Sequence, residues 1–426
     1  MSSLLIKNAK ALVGIRAAGD RIVPGLAMAH LPLLENAWLT ADQGRITGFG
    51  PMSAPPPPAM TEGRTVIDAT DRYVLPGWCD PHTHTVHAAP REEEFVDKIN
   101  GLSYQEIAAR GGGILNSAAK LRAMSEQELY TRSEERLRTM MHQGTVAVEI
   151  KSGYGLDLDS ELKMLRVARR LKASLPLQVK TTLLAAHALP TAYKTDREAY
   201  MRLVLNELIP QVAAEGLADF VDVFCETNYF TVEEMVRILE AGARYGLRGK
   251  VHVNQFTSIG GIQAAIAHRA LSVDHLEVME AADIEALAAR GAHAAPIPTL
   301  LPSCSFFIRI PYGPARALMQ HDLPVALATD FNPGTTPSGN MNLVLSLACI
   351  QLRMLPEEAI HALTLNAAAA MDLHAELGSI TVGKRASLII TGKVPSLAFL
   401  PYAFGNDHID TVLIDAIPVR SGTAIA

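Results

Sequence analysis

Apolar residues recur along this chain with two different periods, and the change from one to the other divides the sequence into three parts. The N-terminal part alternates short β-type runs with turn residues, as in Ser3-Leu-Leu-Ile-Lys7, Gly44-Arg-Ile-Thr-Gly-Phe-Gly50 and Val66-Ile-Asp68, and holds no long helical period. The C-terminal part returns to that style at 378–390 and 411–414, so both ends read as halves of one small β domain. Between them, apolar runs of strand length alternate with amphipathic stretches of helical period. Strands are expected at 74–80, 145–151, 179–186, 220–225, 249–253, 271–274, 293–297 and 324–329. One intervening helix is especially legible, because Ser160 to Leu171 places Leu162, Leu165, Ala168 and Leu171 on one stripe. Eight strands alternating with helices predict an α/β fold, a (β/α)8 TIM-like barrel over 76–375, with a small β-sandwich domain from 1–75 and 376–426. The tract Pro55 to Pro58 cannot donate backbone hydrogen bonds and is expected in an exposed extended loop.

Composition narrows the classes of function. The 426 residues, 49% hydrophobic and 19% charged, can bury a large core and exceed what one barrel of ordinary size needs. A net charge of -6 and a pI near 6.2 show no basic excess, so nucleic acid is not an expected partner. Cys79, Cys225, Cys304 and Cys349 are far apart with no Cys-x-x-Cys pair, which argues against a thiolate zinc site or a disulfide framework and suits a reducing cytoplasm. The N-terminus lacks a basic segment followed by a long apolar one, and no apolar run approaches the roughly 20 residues that span a bilayer. The expectation is a cytoplasmic protein without a membrane partner.

The chemistry gathers at the predicted strand ends. Leu75-Pro-Gly-Trp-Cys-Asp-Pro-His-Thr-His84 reads as a buried strand ending in two histidines at i and i+2, which point to one face and can reach one ion. Later strand-like runs also end in His252, His275 and Asp330. Any one of these is ordinary, but jointly His82, His84, His252 and Asp330 form a candidate ligand set for one zinc or iron ion, with room for a water whose pKa would fall toward neutral. His275 reads as a further ligand or as a donor to a developing oxyanion, and His187, also at a strand end, as a substrate contact. Asp330 is expected both to hold the metal and to shuttle a proton from water to a leaving nitrogen; an N-cap is its plain alternative. Arg91 lies in the loop after His84, where a guanidinium could grip a carboxylate, or be one solvated charge beside Glu92 to Glu94. The run Lys151-Ser-Gly-Tyr-Gly-Leu156 would present Tyr154 toward the same mouth, or else pack it. After Asp330, the side chains of Asn332 and Thr335 and the backbone of Gly334 could hydrogen-bond a polar substrate. Gly111 to Gly113 lack the following Gly-Lys-Ser/Thr of a phosphate cradle and read as a flexible loop, while Cys304 reads as inert packing.

These residues resemble the amidohydrolase superfamily and, within it, the imidazolonepropionase family of histidine degradation. The likeness covers nearly the whole chain and is carried by Pro-His-Thr-His84, Arg91-Glu-Glu-Glu-Phe95, Lys151-Ser-Gly-Tyr-Gly-Leu-Asp-Leu158, Ala-His-Ala-Leu-Pro190, Asp-His-Leu-Glu277 and Ala-Thr-Asp-Phe-Asn-Pro-Gly334. It implies one Zn or Fe ion per subunit on His82, His84, His252 and Asp330. It also implies substrate binding by Arg91, Tyr154, His187, Gln255, Asn332, Gly334 and Thr335, and in part a homodimer, beside the catalytic roles already read for Asp330 and His275. The implied reaction is hydrolysis of the lactam C–N bond of 4-imidazolone-5-propanoate, in which Arg91 would neutralise the propionate. One position departs from the family pattern: some members carry acidic residues just after the fifth-strand histidine, where this chain has Asn254 and Gln255. An amide cannot be a general base, which leaves the proton traffic to Asp330 and His275. Three alternatives stand beside this reading. They are another mononuclear cyclic-amide hydrolase or heterocycle deaminase, a two-metal enzyme bridged by carboxylated Lys151, and a barrel that serves only as a scaffold.

Overall fold

The computed structural model describes residues 3–58, 62–102, 106 and 112–422. Among the described residues sixteen strands run in chain order: β1 (Ser3–Val13), β2 (Leu33–Asp42), β3 (Arg45–Pro51), β4 (Thr65–Asp68), β5 (Tyr73–Pro76), β6 (Trp78–Thr83), β7 (Thr145–Lys151), β8 (Gln178–Ala186), β9 (Phe220–Cys225), β10 (Arg248–Val253), β11 (Ser272–His275), β12 (Ile297–Leu300), β13 (Ala326–Leu327), β14 (Leu388–Thr391), β15 (Ile409–Ile414) and β16 (Ile417–Arg420). They form two sheets of eight. In the first, both chain ends meet: β5 pairs antiparallel with β14, and the order continues through β15 and β16 on one side and β1, β2 and β3 on the other. Leu4, Ile6, Leu39, Ile67, Leu388 and Leu413 build its separate core.

The second sheet is all parallel and runs in sequence order from β6 to β13. Its strands are buried on both faces, as expected where helices cover a parallel barrel. Closure comes from the segment after β13. Asp330 donates its amide to the His82 carbonyl at 3.1 Å, and His84 donates to the Phe331 carbonyl at 2.8 Å. Asp80 fastens the same seam through its carboxylate, which accepts from the Thr329 amide at 3.0 Å and hydroxyl at 2.6 Å.

Several expected elements shift. The run expected at 74–80 is two strands in different sheets, parted at Gly77. The strand expected at 293–297 begins only at Ile297: His293 lies in a turn, and the ladder starts past Pro296, which cannot donate to it. The run expected at 324–329 keeps only Ala326 and Leu327 as regular strand, because the amide of Thr329 goes to a side chain. The legible helix extends over Leu158–Ser174 with its four stripe residues all buried. Residues 55–58 lie outside any strand and are largely exposed. Gly111 falls outside the described residues, whereas Gly113 is not free, since its amide is held by Glu94 at 2.9 Å and the helix Ile114–Ala123 starts there.

Candidate metal centre and substrate cavity

Pleating of β6 turns His82 and His84 to one side of the strand end, and the seam brings Asp330 against them: Asp330 Oδ1 is 3.6 Å from each Nε2. Ligand atoms of His82, His84 and Asp330 lie within 4.8 Å of one another, as do those of His82, His252 and His275. The two triads share His82, whose ring centroid is 4.3 Å from that of His252. All these residues are buried, yet Nε2 of His82 and both ring nitrogens of His252 lack a well-formed hydrogen bond. Buried donors without partners, converging from separate strand ends, fit a cation.

Carboxylates behind the rings orient them. Asp274 Oδ2 is 2.7 Å from His82 Nδ1, and Asp222 Oδ2 is 2.9 Å from His252 Nδ1, which leaves each Nε2 pointing at the centre. Both carboxylates belong to a fully desolvated ion network on the barrel axis. Lys151 Nζ donates to Glu149 at 2.7 Å and to Asp222 at 2.8 Å and lies 3.6 Å from Asp274. Lys250 Nζ lies 2.7 Å from Glu149 and donates to the carbonyls of Pro81 and Ala370. With all five ionised, two ammonium groups face three carboxylates, an excess of one negative charge directed at the imidazoles. Burial opposes the charge on Lys151, but Asp222, Glu149 and Asp274 outweigh it and raise its pKa. An ammonium held in this way is not the free amine that a bridging carboxylated lysine requires.

Burial pushes His82 and His84 well below the ordinary imidazole pKa, with neighbouring cationic groups adding to it, so both are neutral as ligation demands. Burial also works against a charged His275, yet Glu277, 3.2 Å from its Nδ1, together with Asp330 and Asp274, raises its pKa overall. Burial raises Asp330 too, against the pull of His275 and His252. His275 and Asp330 have φ of 85° and 56°, left-handed values uncommon for side-chain-bearing residues and typical of strained functional positions.

A cavity of about 100 Å³ opens over these groups, and His84, Arg91, Tyr154, His187, Gln255, Asn332 and Thr335 all reach its wall. Arg91 is not a solvated charge: its guanidinium is buried and bonded to Glu94 at 2.9–3.0 Å, while Glu92 and Glu93 are exposed. The Lys151-to-Leu156 block is fixed by Glu161, whose carboxylate accepts from the amides of Gly153, Gly155 and Leu156 at 2.8–3.1 Å. Gly153, at φ 104°, lets His187 close in; a Cβ there would sit 2.9 Å from its Nδ1. That Nδ1 lies 2.9 Å from the Gly153 carbonyl, and burial holds the ring's pKa down at about 3, so His187 is neutral with Nε2 left for a ligand. The Asn332 amide is engaged within its loop, accepting from the amides of Gly334 and Thr335 and donating to the Asp330 carbonyl and Thr335 Oγ1, all at 2.7–2.8 Å. Gln255 Nε2 donates to Cys304 Sγ at 3.6 Å.

Sequence reasoning missed Asp222, Asp274, Glu149, Lys250, Glu94 and Glu161. A signal existed for four of them, since charged residues inside otherwise apolar strands can be buried only when paired.

The sequence profile of the amidohydrolase family matches residues 73–419. The imidazolonepropionase of Christiangramia forsetii is 54% identical over 413 residues, 97% of this chain and 99% of that protein. The imidazolonepropionase of Flavobacterium johnsoniae is 53% identical over 411 residues, 96% and 98% of the two chains. Among solved structures, a zinc-bound adenosine deaminase from Xanthomonas campestris superposes with a TM-score of 0.72 at 16% identity, covering 100% of this chain and 94% of that one. A triazine hydrolase variant gives 0.75 at 14% identity, covering 99% and 95%. These two likenesses speak for the fold.

Proposed function

This chain belongs to the amidohydrolase family and, within it, to the imidazolonepropionases, and on that premise we propose that it hydrolyses the lactam C–N bond of 4-imidazolone-5-propanoate to N-formimidoyl-L-glutamate in histidine degradation. The observation that carries the reading is a buried Arg91, held by Glu94, on the wall of the same small cavity that Asp330, His84 and His252 reach. In such a cavity a guanidinium meets a carboxylate in bidentate fashion.

His82, His84, His252 and Asp330 would hold one zinc or iron ion, the choice between the two being open to the donor set. When bound, such an ion supplies Lewis acidity and a water that deprotonates near neutral pH. Arg91, steadied by Glu94, neutralises and anchors the propionate. Neutral His187 offers Nε2 to the polar edge of the ring, and Tyr154 packs beside it, their rings 5.2 Å apart. Asp330 takes the proton of the attacking water, whose oxygen becomes part of the new carboxylate. That proton passes to the ring nitrogen as the C–N bond breaks, with His275 stabilising the developing oxyanion. Gln255 can orient water or substrate but cannot accept the proton. The 76–375 barrel is the catalytic unit in this proposal and the two ends support it. A cytoplasmic location and a homodimer belong to the same proposal; among the described residues no helix is long and apolar enough to cross a membrane.

The test is turnover of freshly generated 4-imidazolone-5-propanoate by metal-loaded and chelator-stripped protein, followed by loss of substrate absorbance and formation of N-formimidoyl-L-glutamate. Metal-dependent product supports the reading. No turnover by protein that contains metal would move the assignment to another cyclic-amide hydrolase or a heterocycle deaminase.

A further inference from the structure

Beside Asp330, three side chains from two elements come together, and two of them, Glu277 and Cys304, lie outside the residues that line the cavity. The end of β11 supplies His275 and Glu277, turned to one side by left-handed backbone at His275 and Leu276, with φ of 85° and 67°. The helix Pro302–Ile308, following β12, supplies Cys304. One ligand atom from each of His275, Glu277 and Cys304 lies within 4.8 Å of the others, and all three residues are buried. Glu277 Oε1 is engaged by His275 Nδ1 at 3.2 Å and by Ser305 Oγ at 3.3 Å, but Glu277 Oε2 is buried without a hydrogen-bond partner. A carboxylate oxygen kept dry and unpaired is costly unless something cationic meets it.

We propose that His275, Glu277 and Cys304 form a second site for a thiophilic divalent cation such as Zn2+ or Cd2+, weaker than the catalytic centre, and that filling it inhibits the enzyme. Imidazole nitrogen, carboxylate oxygen and thiolate sulfur are the donor mix that suits such ions and not Mg2+ or Ca2+. Binding releases the Cys304 thiol proton to solvent and displaces the proton that His275 Nδ1 donates to Glu277, which moves to Nε2 in the neutral ring or leaves to solvent from the imidazolium, so that a thiolate and a carboxylate face the two positive charges. The thiol must give up its proton before the site can fill, a cost the neutral imidazoles of the catalytic centre do not carry, which keeps the site weaker. His275 would then be held through Nδ1, and the pull of the second ion on its ring would take it out of position for the developing oxyanion. Binding at this site is independent of which ring the enzyme opens; only its inhibitory effect rests on the function proposed above.

Protein carrying one equivalent of zinc is titrated with Co2+ while the near-ultraviolet thiolate-to-cobalt band is recorded. The His and Asp donors of the catalytic centre cannot produce that band. We expect it to grow with a second equivalent in the wild type, to vanish in Cys304→Ser, and to need about 10- to 100-fold more metal in Glu277→Gln. In parallel, Cd2+ should inhibit turnover by the wild type, while Cys304→Ser retains turnover and tolerates about 10- to 100-fold more Cd2+. Saturation at one equivalent without the sulfur band, or equal Cd2+ sensitivity of wild type and Cys304→Ser, overturns the proposal. A second equivalent with the sulfur band in protein that does not turn over the substrate would keep the site and fail the catalytic reading alone.

Discussion

The guanidinium of Arg91 lies directly over the Cα of Gly334, so that a β-carbon at 334 would sit 2.5 Å from Nη1 and 2.7 Å from Nη2. Gly334 is therefore a spacer for the residue assigned to the substrate carboxylate. Gly334→Ala should push Arg91 out of register and raise KM by about tenfold or more, a loss of about 1.4 kcal/mol in binding, with metal content unchanged. Steady-state kinetics beside metal analysis check this, and an unaltered KM would detach Arg91 from substrate recognition.

Asp274→Asn should loosen the metal without unfolding the barrel. The amide keeps the shape but loses the charge that faces His82 Nδ1. A fall in metal affinity of about 10- to 100-fold is expected, read as metal retained after dialysis against a graded chelator. Full retention would place the orientation of His82 elsewhere.

Lys151→Met removes the ammonium that Glu149, Asp222 and Asp274 share. Uncompensated buried charge should cost about 3–5 kcal/mol of stability, measured as a lower denaturant midpoint. Because Lys151 is engaged as a cation, loading the wild type with metal under bicarbonate should leave activity as it is without bicarbonate. Bicarbonate-dependent activation would restore the two-metal alternative.

Far from the cavity, burial holds His361 at a pKa of about 4, against the hydrogen bond it makes to the His30 carbonyl. Its ordinary value is 6.5, so between about pH 6.5 and 4 the unfolded chain binds the extra proton and stability falls as pH falls. His361→Gln should flatten that acid limb, by roughly 3 kcal/mol at most. Denaturant unfolding at a series of pH values reads the slope, and identical slopes in both proteins would assign it to other groups.

Much of this architecture is legible from residue pattern because barrel strands and helices carry such different periods. The His-x-His pair on β6 is legible for the same reason, since pleating fixes which way two alternate residues point. Boundaries were less so: Pro296 marks the late start of the strand at Ile297, but the apolar alanines before it read as a continuation of the run. Glu94 and Glu161 stayed hidden because a carboxylate that bonds loop amides looks, in sequence, like any other helix-start charge. The ion network below the metal centre stayed hidden for another reason. Glu149, Asp222, Asp274, Lys151 and Lys250 offset most of one another's charge across four strands, and only the closed barrel makes them neighbours.

The seam between β6 and the segment after β13 carries a consequence for how the molecule is made. Two histidines come from the first barrel strand and the aspartate from beyond the last, joined where Asp80 grips Thr329. In the proposed ligand set, a nascent chain that has not yet emerged past Asp330 carries three of the four ligands but lacks the only carboxylate, on strands that the seam has not yet brought together. On the proposed ligand set, the full coordination sphere would exist only once the barrel shuts, and a bound ion would then act as a clasp, adding binding free energy chiefly to the closed ring.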